Sequence, residues 1–256
     1  MRPRAVLGID AAWTARNPSG VCLLAQQHLG WRCVALTASY EGFLGEGGNA
    51  DTAAVVRRAA SLLGDVPPDV IAVDMPLAQV PITGRRTADD AVSRAYGASW
   101  CSAHSPRVDR PGPVGERFHR DVARTGYRLA TKDGGRHACA LIEVYPHPAI
   151  VRMLGLERRL PYKVTRARSY WPEADSEERR ALLLEAMHRL ADGLSQRIQG
   201  MPDPLADVGS RPPLRRLKEA EDALDAAVCA WVGVCYLEGR AEPFGDETAA
   251  IWIPRD

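Results

Sequence analysis

The segment Glu221-Asp222-Ala223-Leu224-Asp225-Ala226-Ala227-Val228-Cys229-Ala230-Trp231 sets two short acids three residues apart among small and apolar residues. As a helix it would bring Asp222, Asp225, Ala226, Cys229 and Gly233 onto one face. That face is smooth enough to press close against a sheet. Carboxylates there are costly without compensation, and a divalent cation is the usual compensator. Other acids stand where they could join them. Asp10 and Asp74 each end a short apolar run, and Glu143 lies inside a third. Converging carboxylate oxygens suit hard ions such as Mg2+ or Mn2+. Two such ions about 3.5–4 Å apart can activate a water and stabilise the leaving oxygen of a phosphodiester. Without metal, the acids would repel and raise one another's pKa. Each also has a plainer use: Asp10 as a cap, Asp74 ordering the Met75-Pro76 turn, Glu143 paired with an arginine, Asp222 solvated near its helix start.

These acids need elements to carry them. Residues 5–10, 19–25 and 31–39 read as three strands with short connections, an antiparallel meander. Residues 42–49 read as a glycine-rich loop. Residues 52–63 have helical spacing, with Asp51 as N-cap and Gly64 just past the end. A fourth strand is expected at 70–74 and a fifth at 138–145. Between them, about 78–137 reads as a long insertion with short helices at 89–96 and 115–125, covering one end of the sheet. Helices are expected at 149–154, 177–198 and 217–237, and an extended piece at 249–254. Strand alternation puts Asp10 on the face of Val6 and Gly8, and Asp74 on the face of Ala72. The chain of 256 residues thus reads as a single domain with an insertion: an α/β fold with a mixed five-stranded sheet, three antiparallel strands followed by parallel ones, flanked by helices.

The net charge is +1, so the whole molecule is no general polyanion binder. Charge is uneven, however. Residues 107–136 hold eight Lys and Arg against four Asp and Glu, and residues 152–168 hold six against one. Basic stretches beside a carboxylate cluster suit a phosphate backbone, hence nucleic acid as partner. The six cysteines are scattered, no leader precedes the first strand, and no apolar run is long enough to span a membrane. A cytoplasmic protein with reduced thiols is expected. A zinc site from Cys101, His104, His137 and Cys139 has possible spacing but sits in Arg-rich, loop-like sequence.

The element order, the acids ending strands one and four, and the late Asp-x-x-Asp-Ala helix resemble the ribonuclease H-like superfamily. The helix is similar to that of Holliday-junction resolvases. More closely, the chain resembles a prokaryotic family of predicted RNase H-like nucleases, domain-of-unknown-function family 429. The matching pieces are Gly8-Ile9-Asp10-x-Ala12-Trp13, Asn17-Pro18-Ser19-Gly20, Val73-Asp74-Met75-Pro76-Leu77, Gly84-Arg85-Arg86-x-x-Asp89, His104-Ser105-Pro106, Ile142-Glu143-Val144-Tyr145-Pro146-His147, Tyr162-Lys163 and the Asp222–Trp231 string. The resemblance implies a ribonuclease H-like sheet and a metal-dependent nuclease. Asp10, Asp74 and Asp225 would ligate Mg2+ or Mn2+, with Asp222 or Glu143 as a fourth. Arg85, Arg86, His104 and Lys163 would face the substrate. Glu143-x-Tyr145-Pro146-His147 departs from ordinary ribonuclease H enzymes. Two other classes stay open. One is a binding module for nucleic acid or protein that kept the fold and lost the chemistry. The other is an ATP-handling phosphotransferase, since residues 8–14 resemble an Asp-x-Gly-x-Thr phosphate loop, although Ala12 replaces the glycine and no second glycine-rich loop follows.

Overall fold

A computed structural model describes residues 2–13, 19–45, 51–134, 137–206, 208–209 and 212–255. The strands are β1 (Ala5–Asp10), β2 (Gly20–Gln27), β3 (Gly30–Thr37), β4 (Val70–Val73), β5 (Arg128–Leu129), β6 (Ala140–Val144), β7 (Ile198–Gln199), β8 (Ala241–Gly245) and β9 (Ala250–Pro254). The helices are α1 (Tyr40–Leu44), α2 (Thr52–Leu62), α3 (Thr87–Tyr96), α4 (Pro113–Arg124), α5 (Pro146–Leu154), α6 (Ala167–Tyr170), α7 (Ser176–Ser195) and α8 (Leu214–Glu238). Together they form an α/β fold with one mixed sheet between helices, in the order β7-β3-β2-β1-β4-β6-β9-β8, with β5 also on β6.

The expected meander is present: β1 pairs antiparallel with β2, and β2 with β3. Strand β4 lies parallel to β1, and β6 parallel to β4. The count of five strands is corrected to nine among the described residues. Strand β8 was not among the expected strands; it carries Pro243 and Gly245 and sits at the sheet edge, where proline is tolerated. Strands β5 and β7 have two residues each, too few to show a pattern. Three of the residues expected as glycine-rich loop, 42–44, instead close α1, and 46–49 lie outside the described residues. The stretch 78–137, expected as an insertion, supplies α3, which packs on β8 and β9, α4, which packs on α2, and β5. Asp51 caps α2 by accepting from the Ala54 N–H at 2.7 Å, and Gly64 follows with φ +73.

Alternation along the strands divides the core in two. Val6, Cys22, Val70, Ala72 and Ile142 face α5, α7 and α8. Leu7, Ile9, Leu23, Ile71, Val73 and Leu141 face α2 and α4. Each fully buried Leu or Ile contributes about 1.5–3 kcal/mol of burial. The α8 face is unusually close to the sheet. A Cβ on Gly8 would stand 2.3 Å from the Ala226 carbonyl oxygen and 2.4 Å from the Ala230 nitrogen. One on Gly20 would stand 2.1 Å from the Asp222 carbonyl oxygen. Glycine is required here because helix backbone occupies the space of a side chain. Contact runs from Gly20 near Asp222, through Gly8 near Ala226 and Ala230, to Val6 near Gly233. So α8 runs antiparallel to β1, and its acids lie over the end of β1 that carries Asp10.

Candidate functional site

Strands β1 and β4 are parallel neighbours, so their C-terminal ends lie side by side, where open α/β sheets place their sites. The Asp74 N–H donates to the Ile9 carbonyl at 3.0 Å, which fixes Asp74 next to Asp10. Both follow the parity of the α8-facing residues, as alternation requires. Helix α8 brings Asp222 and Asp225 down on them, and the other three carboxylates all act on Asp10. Burial, then Asp225, pushes Asp10 well above the usual carboxylate range; Asp74 and Asp222 add to this and Lys163 opposes it. Asp74 is pushed up to about 7, chiefly by burial, with Asp225 and Glu143 adding and Lys163 opposing. Burial also raises Asp222, against Lys218.

Two lysines neutralise the helix acids. Fully buried Asp225 accepts from the Tyr162 hydroxyl on Oδ1 and from Lys163 Nζ on Oδ2. Burial alone would lower Lys163, but Asp225 and Glu221 outweigh it and hold the ammonium charged. Lys218 Nζ donates to Asp222 Oδ1 and, at 2.9 Å, to Glu221 Oε1. Glu221 also accepts the Val164 N–H at 2.7 Å, which ties the segment after Lys163 to α8. The other Asp222 oxygen, Oδ2, is buried with no hydrogen-bond partner.

Glu143 takes no part in this set. It shares the parity of Leu141, on the face of β6 opposite α8. Arg86 Nη1 and Nη2 each reach one of its carboxylate oxygens at 2.7 Å, and the Leu77 N–H donates to Oε2 at 2.7 Å. Arg86 also binds Asp89 Oδ1 and the Leu77 carbonyl, both at 2.7 Å, and its side chain is 8% exposed. Arg86 is therefore fully engaged inside the protein. Arg85 bonds Asp90 at 2.5 Å, Ser93 at 2.7 Å and Ser105 at 2.9 Å, holding the His104 loop against α3. His104 itself is exposed at the mouth of the site. Partial burial, then Arg166, Arg159 and Arg110, holds its imidazole below the ordinary value.

Around the acids lies a groove of about 1060 Å³, lined by Asp10, Asp74 and Asp222 and by Arg107, Arg110, Lys163, Arg166, Arg215 and Lys218. Its cations come largely from the two basic stretches of the sequence. An inner cavity of about 260 Å³ opens beside it, sharing Trp13, Asp74, His104, Lys163, Thr165 and Arg166. Residues at the site that sequence reasoning did not single out include Glu221, Lys218, Arg110, Arg159, Arg166 and Arg215. Of these, only Lys218 had a clear signal, at i and i+4 with Asp222 on one helix.

The donor chemistry suits a hard divalent cation: oxygen only, from four carboxylates, one oxygen buried and unpartnered. As they stand, however, no three His, Cys, Asp or Glu side chains among the described residues are gathered as a metal requires, neither the four aspartates nor the Cys101, His104, His137 and Cys139 set. No helix among the described residues is long and apolar enough to cross a membrane. Among curated proteins and among solved structures, nothing matches the chain significantly. A family match does cover residues 8–250, nearly the whole chain, and the protein belongs to the family described as Protein of unknown function (DUF429).

Proposed function

We propose that the acid cluster is the centre of a divalent-metal-dependent phosphodiesterase acting on nucleic acid. The observation that carries this reading is the convergence of Asp10, Asp74, Asp222 and Asp225 from two parallel strand ends and one helix. The run β3-β2-β1-β4-β6, antiparallel then parallel, is in keeping with the ribonuclease H-like arrangement that the sequence resembles. Mg2+ or Mn2+ held by Asp10, Asp74, Asp222 and Asp225 would supply an activated water and a charge partner for the leaving oxygen. The chain's own residues do the rest. Strand register fixes Asp10 and Asp74 without freedom to separate. Lys163 and Lys218 offset the helix acids, so that four carboxylates can be packed together at all. Arg107, Arg110, Arg166 and Arg215 give the groove a row of phosphate contacts. His104, neutral at pH 7, stands at the mouth as a group that can give or take a hydrogen bond.

Cleavage of labelled single-stranded, duplex, hybrid and branched nucleic acids with Mg2+ and with Mn2+ tests the reading. Folded Asp10→Asn and Asp225→Asn are expected to lose activity. Wild-type-like cleavage by both variants would sink it.

The Lys163–Asp225 and Lys218–Asp222 pairs favour a second reading, a nucleic-acid-binding module whose acids are permanently salt-bridged. It predicts binding that persists in EDTA and weakens with salt by a log–log slope of roughly −0.7 to −0.9 per phosphate contact, with no cleavage under either metal.

A further inference from the structure

We infer that the inner cavity is a subsite for one unpaired nucleotide, its ring against Tyr145 and His147 and its phosphate on Arg159 and Arg166. The inference rests on the nucleic-acid reading above and names the form of substrate that the site takes. At about 260 Å³, the cavity lies below the ~300–1,000 Å³ of drug-sized ligand sites, which leaves room for a single unit rather than a run.

Its wall is built for two kinds of contact. His147 is 6% exposed, and its Nδ1 is buried with no hydrogen-bond partner. Its ring meets Tyr145 and Tyr162 edge-on, at centroid distances of 5.5 and 5.7 Å. Burial, then Arg159 and Lys163, keeps the imidazole neutral, so one nitrogen donates and the other accepts. A buried polar atom left unpaired is costly, and the edge of a base supplies the complement. Arg159 Nε is likewise buried and unpartnered. Among the described residues, neither Arg159 nor Arg166 pairs with a carboxylate, whereas Arg86 and Lys163 are both consumed by acids. Acids line the cavity too, but Asp89 and Glu143 are taken up by Arg86 and Glu221 by Lys163, so two guanidinium groups without a carboxylate partner beside aromatic surface ask for an anion joined to a ring. A bare phosphate would satisfy the arginines and leave His147 unmatched.

The placement says more. Asp74 borders both the cavity and the groove, so a nucleotide seated inside would hold its next phosphodiester over the acid cluster. A base still paired in a duplex could not enter. Strand ends, unpaired nucleotides or flipped-out bases could.

The test is calorimetric titration in EDTA, where no metal chemistry runs. The probes are adenosine 5′-monophosphate, uridine 5′-monophosphate, ribose 5-phosphate and inorganic phosphate. At least one mononucleotide should bind saturably, and both ring-free probes should bind about tenfold more weakly or worse. Arg166→Ala, at an exposed position, and His147→Phe, which keeps the ring, should each weaken the mononucleotide about tenfold. No mononucleotide binding, inorganic phosphate as tight as the mononucleotide, or indifference to both variants overturns the subsite. If metal-dependent cleavage fails while the mononucleotide binds, the acid-cluster reading falls and the subsite stands. Cleavage without mononucleotide binding overturns the subsite alone.

Discussion

Gly8→Ala puts one methyl group between β1 and α8. The ideal Cβ would lie 2.3 Å from the Ala226 carbonyl oxygen, 2.4 Å from the Ala230 nitrogen and 2.7 Å from the Ala230 Cβ. Two of the three atoms are helix backbone, so no rotamer change relieves the clash. Bringing them to contact distance needs a retreat of α8 of about 1 Å, and a gap of that size forfeits a quarter to a half of the dispersion well wherever it opens. Overpacking of this kind costs about 1–3 kcal/mol and occasionally more; backbone on the far side puts this site at the upper end. For a chain of this size, about 3 kcal/mol lowers Tm by roughly 6–12 °C. Asp222 and Asp225 ride on the moving helix while Asp10 and Asp74 stay on the sheet. A displacement of about 1 Å between catalytic groups costs on the order of 100-fold in rate. Differential scanning calorimetry and the cleavage assay, run on the same preparation, read both effects. A Gly8→Ala variant that melts within about 1 °C of wild type would refute the claim that α8 backbone rests on β1.

Two further outcomes follow from the charged groups. Arg86→Lys keeps the charge but cannot span Glu143, Asp89 and the Leu77 carbonyl at once. Buried carboxylates left uncompensated cost about 3–5 kcal/mol, so the urea midpoint should fall clearly, and an unchanged midpoint contradicts the clamp. Asp74 is held near 7 in the folded chain, chiefly by burial, but titrates near ~3.9 when unfolded. A raised carboxyl pKa favours folding at acid pH, and that contribution is lost as pH rises through about 7. Asp74→Asn in EDTA should therefore melt above wild type at pH 8 and lose most of that advantage by pH 5; a gap that does not vary with pH contradicts the shift.

The strand-end acids were legible because an apolar run closing on an acid marks where a buried strand leaves the core. Asp10 and Asp74 follow this rule, and alternation assigned both to the correct face. The same alternation, applied to β6, sets Glu143 with Leu141 rather than Ile142 and so separates it from the other acids. Its grouping with them rests on its place as an acid within an apolar run, before its parity along the strand is weighed. Lys163, expected to face substrate, does line the groove, but it also sits on Asp225, 62 residues away in sequence. No local pattern reports a pairing of that range. Arg86 went the same way: a basic residue near a site reads as substrate-facing until its acceptors are visible, and all of them are inside the protein. Gly8 and Gly20 were visible as glycines, but their role as notches depends on which helix lies across them. Strand β8 stayed hidden because proline and glycine mask an edge strand.

The central claim, that four converging carboxylates, two of them paired with lysines, form a divalent-cation site, is tested most directly by calorimetric titration of Mn2+ into wild type and Asp10→Asn, both free of nucleic acid. The account predicts saturable binding at low stoichiometry in the wild type, lost or weakened at least ~100-fold in the variant. Absence of binding, or binding that Asp10→Asn leaves unchanged, would contradict it.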